Sequence, residues 1–320
     1  MTVFITGVAG FIGMSLAEGL LKSGAKIVGV DTCQNHPLLA EARLERLRRY
    51  PGFVFLPIDV TDQSALVEAF KVYPDIKTIV HLAARGGVRR SREQPHLYVE
   101  DNIRAQVSLL EAARCLEHVE HILYASSSAV YGRSLLRPFK ESDPLGPPSS
   151  FYAVTKRTNE LTAQTYSHLY GFPQSGMRFF TVYGPWGRPD MACYGFAQAI
   201  RDEEPITLWA GENLARDFTY ISDVVSAIRS LIKHPPQKKE ARVFNIGRGC
   251  PEKVSVLVQL LEENLGQKAI ITRPPRPRED LETTWASTDA MKALVQWKAS
   301  IELKEGIRLF SQWFQQSSPL

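Results

Sequence analysis

Thr2-Val3-Phe4-Ile5-Thr6-Gly7-Val8-Ala9-Gly10-Phe11-Ile12-Gly13 opens the chain. A short apolar run leads into three glycines, and a helical pattern through Leu16, Leu20 and Leu21 comes next, closed by Ser23-Gly24. Glycines at these positions let the backbone turn sharply and approach a pyrophosphate, whose charge is met by amide groups at the helix N-terminus. The order strand, turn, helix is repeated by a second strand, Lys26 to Val30, ending in Asp31. That context predicts a dinucleotide site lined by Gly7, Gly10, Phe11, Ile12 and Gly13. A carboxylate at Asp31 accepts hydrogen bonds from an adenosine ribose and repels a 2′-phosphate, which favours NAD over NADP.

Working outward, Leu38 to Tyr50 reads as a helix whose Arg43, Arg46, Arg48 and Arg49 form a solvated basic face. A third strand, Phe53 to Leu56, leads to Asp59-Val60-Thr61-Asp62, where Thr61 or Asp62 caps the next helix. A fourth, Thr78 to Val80, runs into His81-Leu82-Ala83-Ala84. The small residues there allow close passage of a dinucleotide, and His81 is expected to be a packed strand-end residue. Four arginines in Arg85 to Arg92, Arg89 among them, stand at a strand's carboxyl end, where open α/β sheets bind ligands. They point to an anionic substrate. Asn102 lies on a long helix whose inner face is expected to carry Val99, Ile103, Val107 and Leu110.

His121 to Ala125 reads as a strand running into Ser126-Ser127-Ser128-Ala129-Val130-Tyr131-Gly132, and Tyr152-Ala153-Val154-Thr155-Lys156 comes after a Pro/Ser/Gly-rich loop, 138–150. Tyr152 and Lys156 lie one helical turn apart on one face. A tyrosine of ordinary pKa, about 10, is a poor base at neutral pH, and a neighbouring ammonium favours its phenolate. Ser127, Tyr152 and Lys156 are therefore read as a proton relay. A Tyr-x-x-x-Lys pair alone is common; the glycine turn and the serine strand-end make this one specific.

A sixth strand, Ser175 to Phe180, completes an alternation that describes a doubly wound parallel sheet, an α/β fold. Beyond about residue 185 the rhythm loosens. Short strands at Thr207-Leu208, Arg216 to Thr219, Val243 to Ile246 and Ala269 to Ile271 alternate with helices near 193, 222, 254, 289 and 304. The expected organisation is a Rossmann domain over 1–184 carrying the relay and a smaller C-terminal α/β lid over 185–320, with an interleaved boundary.

Of the 320 residues 44% are hydrophobic, ample for a core, and 38 basic against 34 acidic side chains give a net charge of +4. This balance carries no nucleic-acid or membrane-surface signature. Cys33, Cys115, Cys193 and Cys250 are scattered without disulfide or metal-ligand spacing, which suits a reduced, cytoplasmic protein and predicts no bound metal. No signal peptide is read at the start. No apolar run approaches the roughly 20 residues that span a bilayer.

The glycine turn, the serine strand-end and Tyr-x-x-x-Lys together resemble the extended short-chain dehydrogenase/reductase superfamily. Thr181-Val182-Tyr183-Gly184-Pro185-Trp186-Gly187-Arg188-Pro189-Asp190-Met191-Ala192 resembles the signature of UDP-glucuronate 4-epimerases, and so do the stretch from His81 to Asn102, Arg216 to Asp223, and Asn245-Ile246-Gly247. The resemblance covers nearly the whole chain. It departs from the pattern in a shorter loop after Asp31 and in Pro277-Arg278-Glu279-Asp280 before Trp285. It implies NAD held along Asp59, Val60, Leu82, Ala83, Ala84 and Asn102 as well as by Tyr152 and Lys156, with Asp59 at the adenine. It also implies a homodimer through the helices near 95–115 and 151–170, and a UDP-sugar substrate. Arg216 resembles the diphosphate ligand, and Arg89 and Asp280 are further substrate candidates.

A uronic acid oxidised at C4 is a β-keto acid and can lose CO₂, so an epimerase must hold its carboxylate out of line with the carbonyl π system. Ser126, Ser128 and Thr181 are read as the hydroxyl donors for this, with Arg188 as a charged partner. Three alternatives stand beside 4-epimerisation. A UDP-glucuronate decarboxylase shares the first oxidation; a 4,6-dehydratase usually needs an Asp-Glu pair where Ser128-Ala129 stand; a non-catalytic NAD-sensing protein could keep the fold without the relay.

Overall fold

The first strand, β1 (Thr2–Thr6), is buried along its whole length, as a strand covered on both faces must be. In the computed structural model, which describes residues 1–209, 214–277 and 281–316, it leads to α1 (Phe11–Leu21), β2 (Lys26–Val30), α2 (Pro37–Arg48), β3 (Phe53–Leu56), α3 (Gln63–Val72) and β4 (Ile76–His81). Then come α4 (Ala105–Ala113), β5 (His121–Ser127), α5 (Phe151–Tyr170), β6 (Gln174–Phe179) and, later in the chain, β7 (Ala241–Ile246). The seven strands form one sheet in the order β7-β6-β5-β4-β1-β2-β3. β1 runs parallel to both β2 and β4, with Phe4 opposite Val28 and Ile79. The strand order therefore reverses between β1 and β4, and a ligand crevice is expected outside their carboxyl ends.

By its contacts the chain divides into two units. One comprises Met1–Ser134, Pro144–Arg178 and Val225–Phe244, the other Leu135–Asp143, Phe179–Val224 and Asn245–Leu320. In the first, Phe4, Val28, Leu66, Phe70, Ile79, Leu109 and Ile122 form a buried core between the sheet and helices α3 and α4, with Phe4 and Phe70 edge to face at 4.8 Å. Asp62 caps α3 by accepting from the Ala65 N–H at 3.0 Å. Ser150 does the same for α5 through Ala153 N–H at 3.1 Å, and Gly171, at φ +80°, ends that helix. Each such N-cap is worth about 1 kcal/mol, so Ser150 contributes to holding the helix that carries Tyr152 and Lys156.

The structure departs from expectation at two places in this framework. Val243 to Ile246 is not a strand of a separate smaller domain but part of β7, the edge of the main sheet; a short apolar run announces a strand without saying which neighbour it pairs with. The long helix around Asn102 is interrupted as well. Short helical turns at Arg90–Glu93 and Pro95–Tyr98 lead into a π-helical turn, Val99–Arg104, before α4. A π turn inserts a residue into the helical repeat and rotates the turns beyond it, so Val99 and Val107 are over a third exposed while Tyr98, Asn102 and Leu109 face inward.

The second unit has small sheets of two strands. Thr181–Tyr183 runs parallel to Phe218–Tyr220, Ala215–Arg216 antiparallel to Glu252–Lys253, and Pro205–Thr207 parallel to Ile270–Thr272. Its organising residue is the fully buried Asp217. The carboxylate accepts the backbone N–H groups of Arg248 (2.7 Å), Gly249 (3.0 Å) and Ala286 (3.0 Å). Burial raises its pKa against the pull of those donors. Tyr194, Phe310, Trp313 and Phe314 pack edge to face and stacked along the helices Ala192–Arg201 and Leu303–Gln316. Among the described residues no helix is long and apolar enough to cross a membrane.

Candidate active site

The glycine turn after β1 is built against the chain leaving β4. Gly7 has φ +70°, and a Cβ there would lie 2.6 Å from the Ala83 nitrogen; a Cβ on Gly13 would lie 2.1 Å from the Gly7 carbonyl oxygen. Neither contact is sterically possible, so only glycine permits this cradle at the N-terminus of α1. Thr6 ties its two sides together. Its hydroxyl accepts from Leu82 N–H and Ala83 N–H at 3.2 and 3.1 Å and meets His81 Nδ1 at 2.7 Å. With both lone pairs occupied, the hydroxyl donates to Nδ1, which leaves the His81 proton on Nε2. Burial, aided by the nearby Lys156 charge, pushes the His81 pKa down to about 3. His81 is thus neutral and packed, as expected of it.

At the end of β2, Asp31 accepts from the N–H groups of Ala9 (3.0 Å) and Cys33 (2.9 Å). Its carboxylate is thereby fixed beside the glycine turn with acceptor capacity left for a ribose diol. Arg43 departs from the expected solvated basic face. It is 3% exposed and donates to the Ala9 carbonyl at 3.0 Å, and its charge partly offsets the burial that raises the Asp31 pKa. After β3, Asp59 accepts from both Thr61 N–H and Thr61 Oγ1 at 2.8 Å, and Val60 is buried beside it. The steric cradle, the helix N-terminus and the oriented Asp31 carboxylate fit a dinucleotide with a free ribose 2′-hydroxyl. Gly7, Gly10, Gly13, Asp31 and Leu82 to Ala84 border this cradle and could hold the dinucleotide.

Ser127 ends β5, and its Oγ accepts from Ala129 N–H at 3.2 Å. Lys156, 2% exposed, donates to the Ala125 carbonyl at 2.9 Å, and its ammonium lies 6.0 Å from the centre of the Tyr152 ring. Burial pushes its pKa down to about 8. Tyr152 is half-buried and packs edge to face on Tyr98, ring centres 6.3 Å apart. The Tyr98 hydroxyl lies 2.7 and 2.8 Å from the Gly86 and Gly87 carbonyls. The relay helix and the arginine-bearing loop are thus fastened through one ring.

Asn102, expected along the cofactor, is instead turned inward. Fully buried, it accepts from Arg85 N–H and donates to the Arg85 carbonyl and to Thr155 Oγ1 at 2.7, 3.1 and 3.0 Å. Ser126 differs from expectation in the same way. It is 2% exposed and its hydroxyl donates to Glu160 Oε1 at 2.6 Å; having one proton, it cannot also donate to a substrate carboxylate. Ser128 is half-buried and Arg89 exposed. In the second unit Thr181 is half-buried, with its N–H on the Asp217 carbonyl at 3.0 Å. Arg188 is held by Asp190 at 3.0 and 2.6 Å. Arg216 donates to the Ala215 and Glu282 carbonyls. Asp280 lies outside the described residues.

Glu160, Arg178, Tyr98 and Asp217 are not singled out by the sequence pattern. Glu160 was within reach: it comes after Tyr152 and Lys156 at the same spacing of four, on the inward side of α5. Arg178, in mid-strand, has meaning only once β6 is placed beside β5.

A Rossmann sheet with a glycine cradle at its switch point, and Ser127, Tyr152 and Lys156 carried on β5 and α5, defines an NAD-dependent enzyme of the short-chain dehydrogenase/reductase type. The model of the NAD dependent epimerase/dehydratase family matches residues 3–247, and the chain belongs to that family. It is 38% identical over 320 residues to the UDP-glucuronate 4-epimerase of Thermodesulfobacterium geofontis, covering 99% of this chain and 97% of the relative. It is 37% identical over 335 residues to a probable UDP-glucuronate 4-epimerase of Rhizobium meliloti, covering 99% and 98%. Among solved structures, the UDP-glucuronic acid 4-epimerase of Bacillus cereus in complex with UDP-glucuronic acid and NAD matches with a TM-score of 0.91 at 29% identity, over 99% of both chains.

Proposed function

We propose that this protein interconverts UDP-glucuronate and UDP-galacturonate by reversible oxidation at C4. The observation that carries the reading is the relay itself: an ammonium buried one helical turn from Tyr152, beside the strand-end Ser127, in a chain whose full-length relatives are named for this reaction. Tyr152 as phenolate takes the O4 proton, Ser127 hydrogen-bonds the same oxygen, and Lys156 holds the phenolate charge. When bound, NAD supplies the acceptor that takes hydride from C4 and returns it to the opposite face. Tyr152 then gives the proton back to O4, so base and acid are one residue and no net redox change remains.

Thr181 and Ser128 are proposed as donors to the C5 carboxylate, and Arg216 as a diphosphate ligand. Arg188 joins them only if a substrate anion competes with Asp190. A homodimer through α4 and α5 is also proposed, supported by the exposure of Val107, Leu161, Leu169 and Tyr170 on those helices or at their ends. A reducing cytoplasmic setting fits four cysteines that are all free thiols. The test is incubation of the purified protein with UDP-glucuronate and identification of the product by NMR. UDP-galacturonate supports the reading; stoichiometric CO₂ release replaces it with decarboxylation; equal turnover of UDP-glucose removes the carboxylate argument.

A further inference from the structure

Behind the relay, on the side of β5 away from the cradle, lies a buried charged group that no step above uses. Glu160 is 5% exposed and Arg178 4%. Their pairing is bidentate, Arg178 Nε to Glu160 Oε1 at 2.9 Å and NH2 to Oε2 at 2.8 Å. Arg178 NH1 also donates to the Tyr131 hydroxyl at 3.0 Å, and the guanidinium stacks 4.9 Å over that ring. Glu160 Oε1 receives in addition the Ser126 hydroxyl at 2.6 Å.

These contacts reach both flanks of Ser127. On one side, Lys156 holds the Ala125 carbonyl and Glu160 holds the Ser126 side chain. On the other, Arg157 Nε donates to the Val130 carbonyl at 3.0 Å, and Arg178 holds Tyr131. Three of these residues, Lys156, Arg157 and Glu160, come from α5, the helix that carries Tyr152. A buried ion pair contributes little to net stability, because desolvation offsets its attraction; its best-supported use is to select one arrangement over others. These ties span the junction between the strand end bearing Ser127 and the helix bearing Tyr152.

We propose that Glu160 and Arg178 form a positioning pair for the proton relay, acting through Ser126, and that Ser126 serves as their link to Ser127 and not as a substrate ligand. The inference rests on the epimerase reading for its assay. Misplacing a reacting group by about 1 Å can cost on the order of 100-fold in rate, so the loss of this tie falls on kcat.

Two variants separate positioning from a merely structural role. Ser126→Ala removes the link and one charge-assisted bond but leaves both Arg178–Glu160 bonds, so it should lose less stability than a variant that breaks the ion pair. Its kcat should drop by about 10-fold or more, with KM for UDP-glucuronate unchanged. Glu160→Gln keeps the Oε1 acceptor for Ser126 but leaves the buried Arg178 charge uncompensated. It should be the less stable protein and yet lose less turnover than Ser126→Ala. A kcat order opposite to the stability order supports the proposal. It is overturned if kcat tracks stability, or if Ser126→Ala raises KM and leaves kcat intact, which would make Ser126 a substrate ligand after all. Should Glu160→Gln fail to fold, the split between kcat and KM in Ser126→Ala decides by itself. Wild-type turnover measured alongside tests the epimerase reading separately, since an inactive wild type removes that reading whatever the variants do.

Discussion

Replacing Lys156 by methionine should make the protein more stable at neutral pH and inactive. Burial lowers the Lys156 pKa from 10.5 to about 8, and at about 1.4 kcal/mol per pH unit the charged form costs the fold about 3 kcal/mol. The unfolded chain keeps this proton up to about pH 10.5, the folded chain only up to about pH 8. Between those values the unfolded state binds more protons, so stability rises with pH; the cost is fully present below about pH 8 and gone above about pH 10.5. Methionine fills a similar volume without charge but gives up the bond to the Ala125 carbonyl at 2.9 Å, a loss of about 1 kcal/mol. The variant should therefore be more stable by about 2 kcal/mol near pH 7. By about pH 9.5 some 2 kcal/mol of the wild-type cost has been relieved, and the difference should vanish. Urea unfolding of both NAD-free proteins at the two pH values measures it. A variant less stable than wild type near pH 7, or a difference that does not change with pH, would refute the assignment of Lys156 as a buried, strained cation.

Tyr152→Phe removes the proton acceptor and little volume, so kcat should fall by orders of magnitude while NAD and UDP-glucuronate binding, monitored by calorimetry, survive. Gly13→Ala places a Cβ about 2.1 Å from the Gly7 carbonyl oxygen, and NAD recovered from the purified, denatured protein should drop to a small fraction of wild type. Thr181→Val deletes a hydroxyl proposed to hold the carboxylate; with a charge-assisted bond worth about 1.5–3 kcal/mol, KM should rise by about 10-fold or more, and a UDP-pentose or its 4-keto form should become detectable by NMR.

The parts of this protein that could be read from its sequence are those whose chemistry is local. Gly7, Gly10 and Gly13 announce a turn because no other residue fits against Ala83 at the first or the Gly7 carbonyl at the other two, and Tyr152 and Lys156 announce a shared face because four residues make about one helical turn. The helices after residue 185 were also legible from their apolar runs, but the strand read over Arg216 to Thr219 is two strands with different partners, and Glu252–Lys253 was not anticipated. What escaped depends on contacts between distant segments. β7 looked like one more short strand of the C-terminal half until its pairing beside β6 was known. Arg43 looked like one of four solvated arginines, but α2 turns it towards Ala9, 34 residues earlier. A regular helical repeat assigns Val99 and Val107 inward, and the π turn that begins at Val99 breaks that repeat. Ser126 and Asn102 stand at positions where site residues are expected, and both spend their donors on partners more than 15 positions away.

An epimerase that works through a free ketone has an unusual division of rigidity. The oxidised sugar must turn over within the site to receive hydride on its other face, so the substrate is the part that moves. The proton-handling groups must then be as immobile as the fold allows, because the same phenol has to meet O4 in two sugar orientations. In this chain the requirement falls on one junction, the end of β5 against α5. Lys156, Arg157 and Glu160 hold Ala125, Ser126 and Val130 from a single helix, while Tyr98 braces Tyr152 from the side. Two of those ties carry buried charge, which is a poor way to stabilise a fold and an effective way to exclude neighbouring arrangements. A hexuronic acid makes the demand stricter, since a ketone whose C5 carboxylate swings into line with the carbonyl π system is lost as CO₂. Rigid placement of Ser127 and Tyr152 at O4, together with the hydroxyl donors proposed for the carboxylate, would keep the turning sugar out of that alignment.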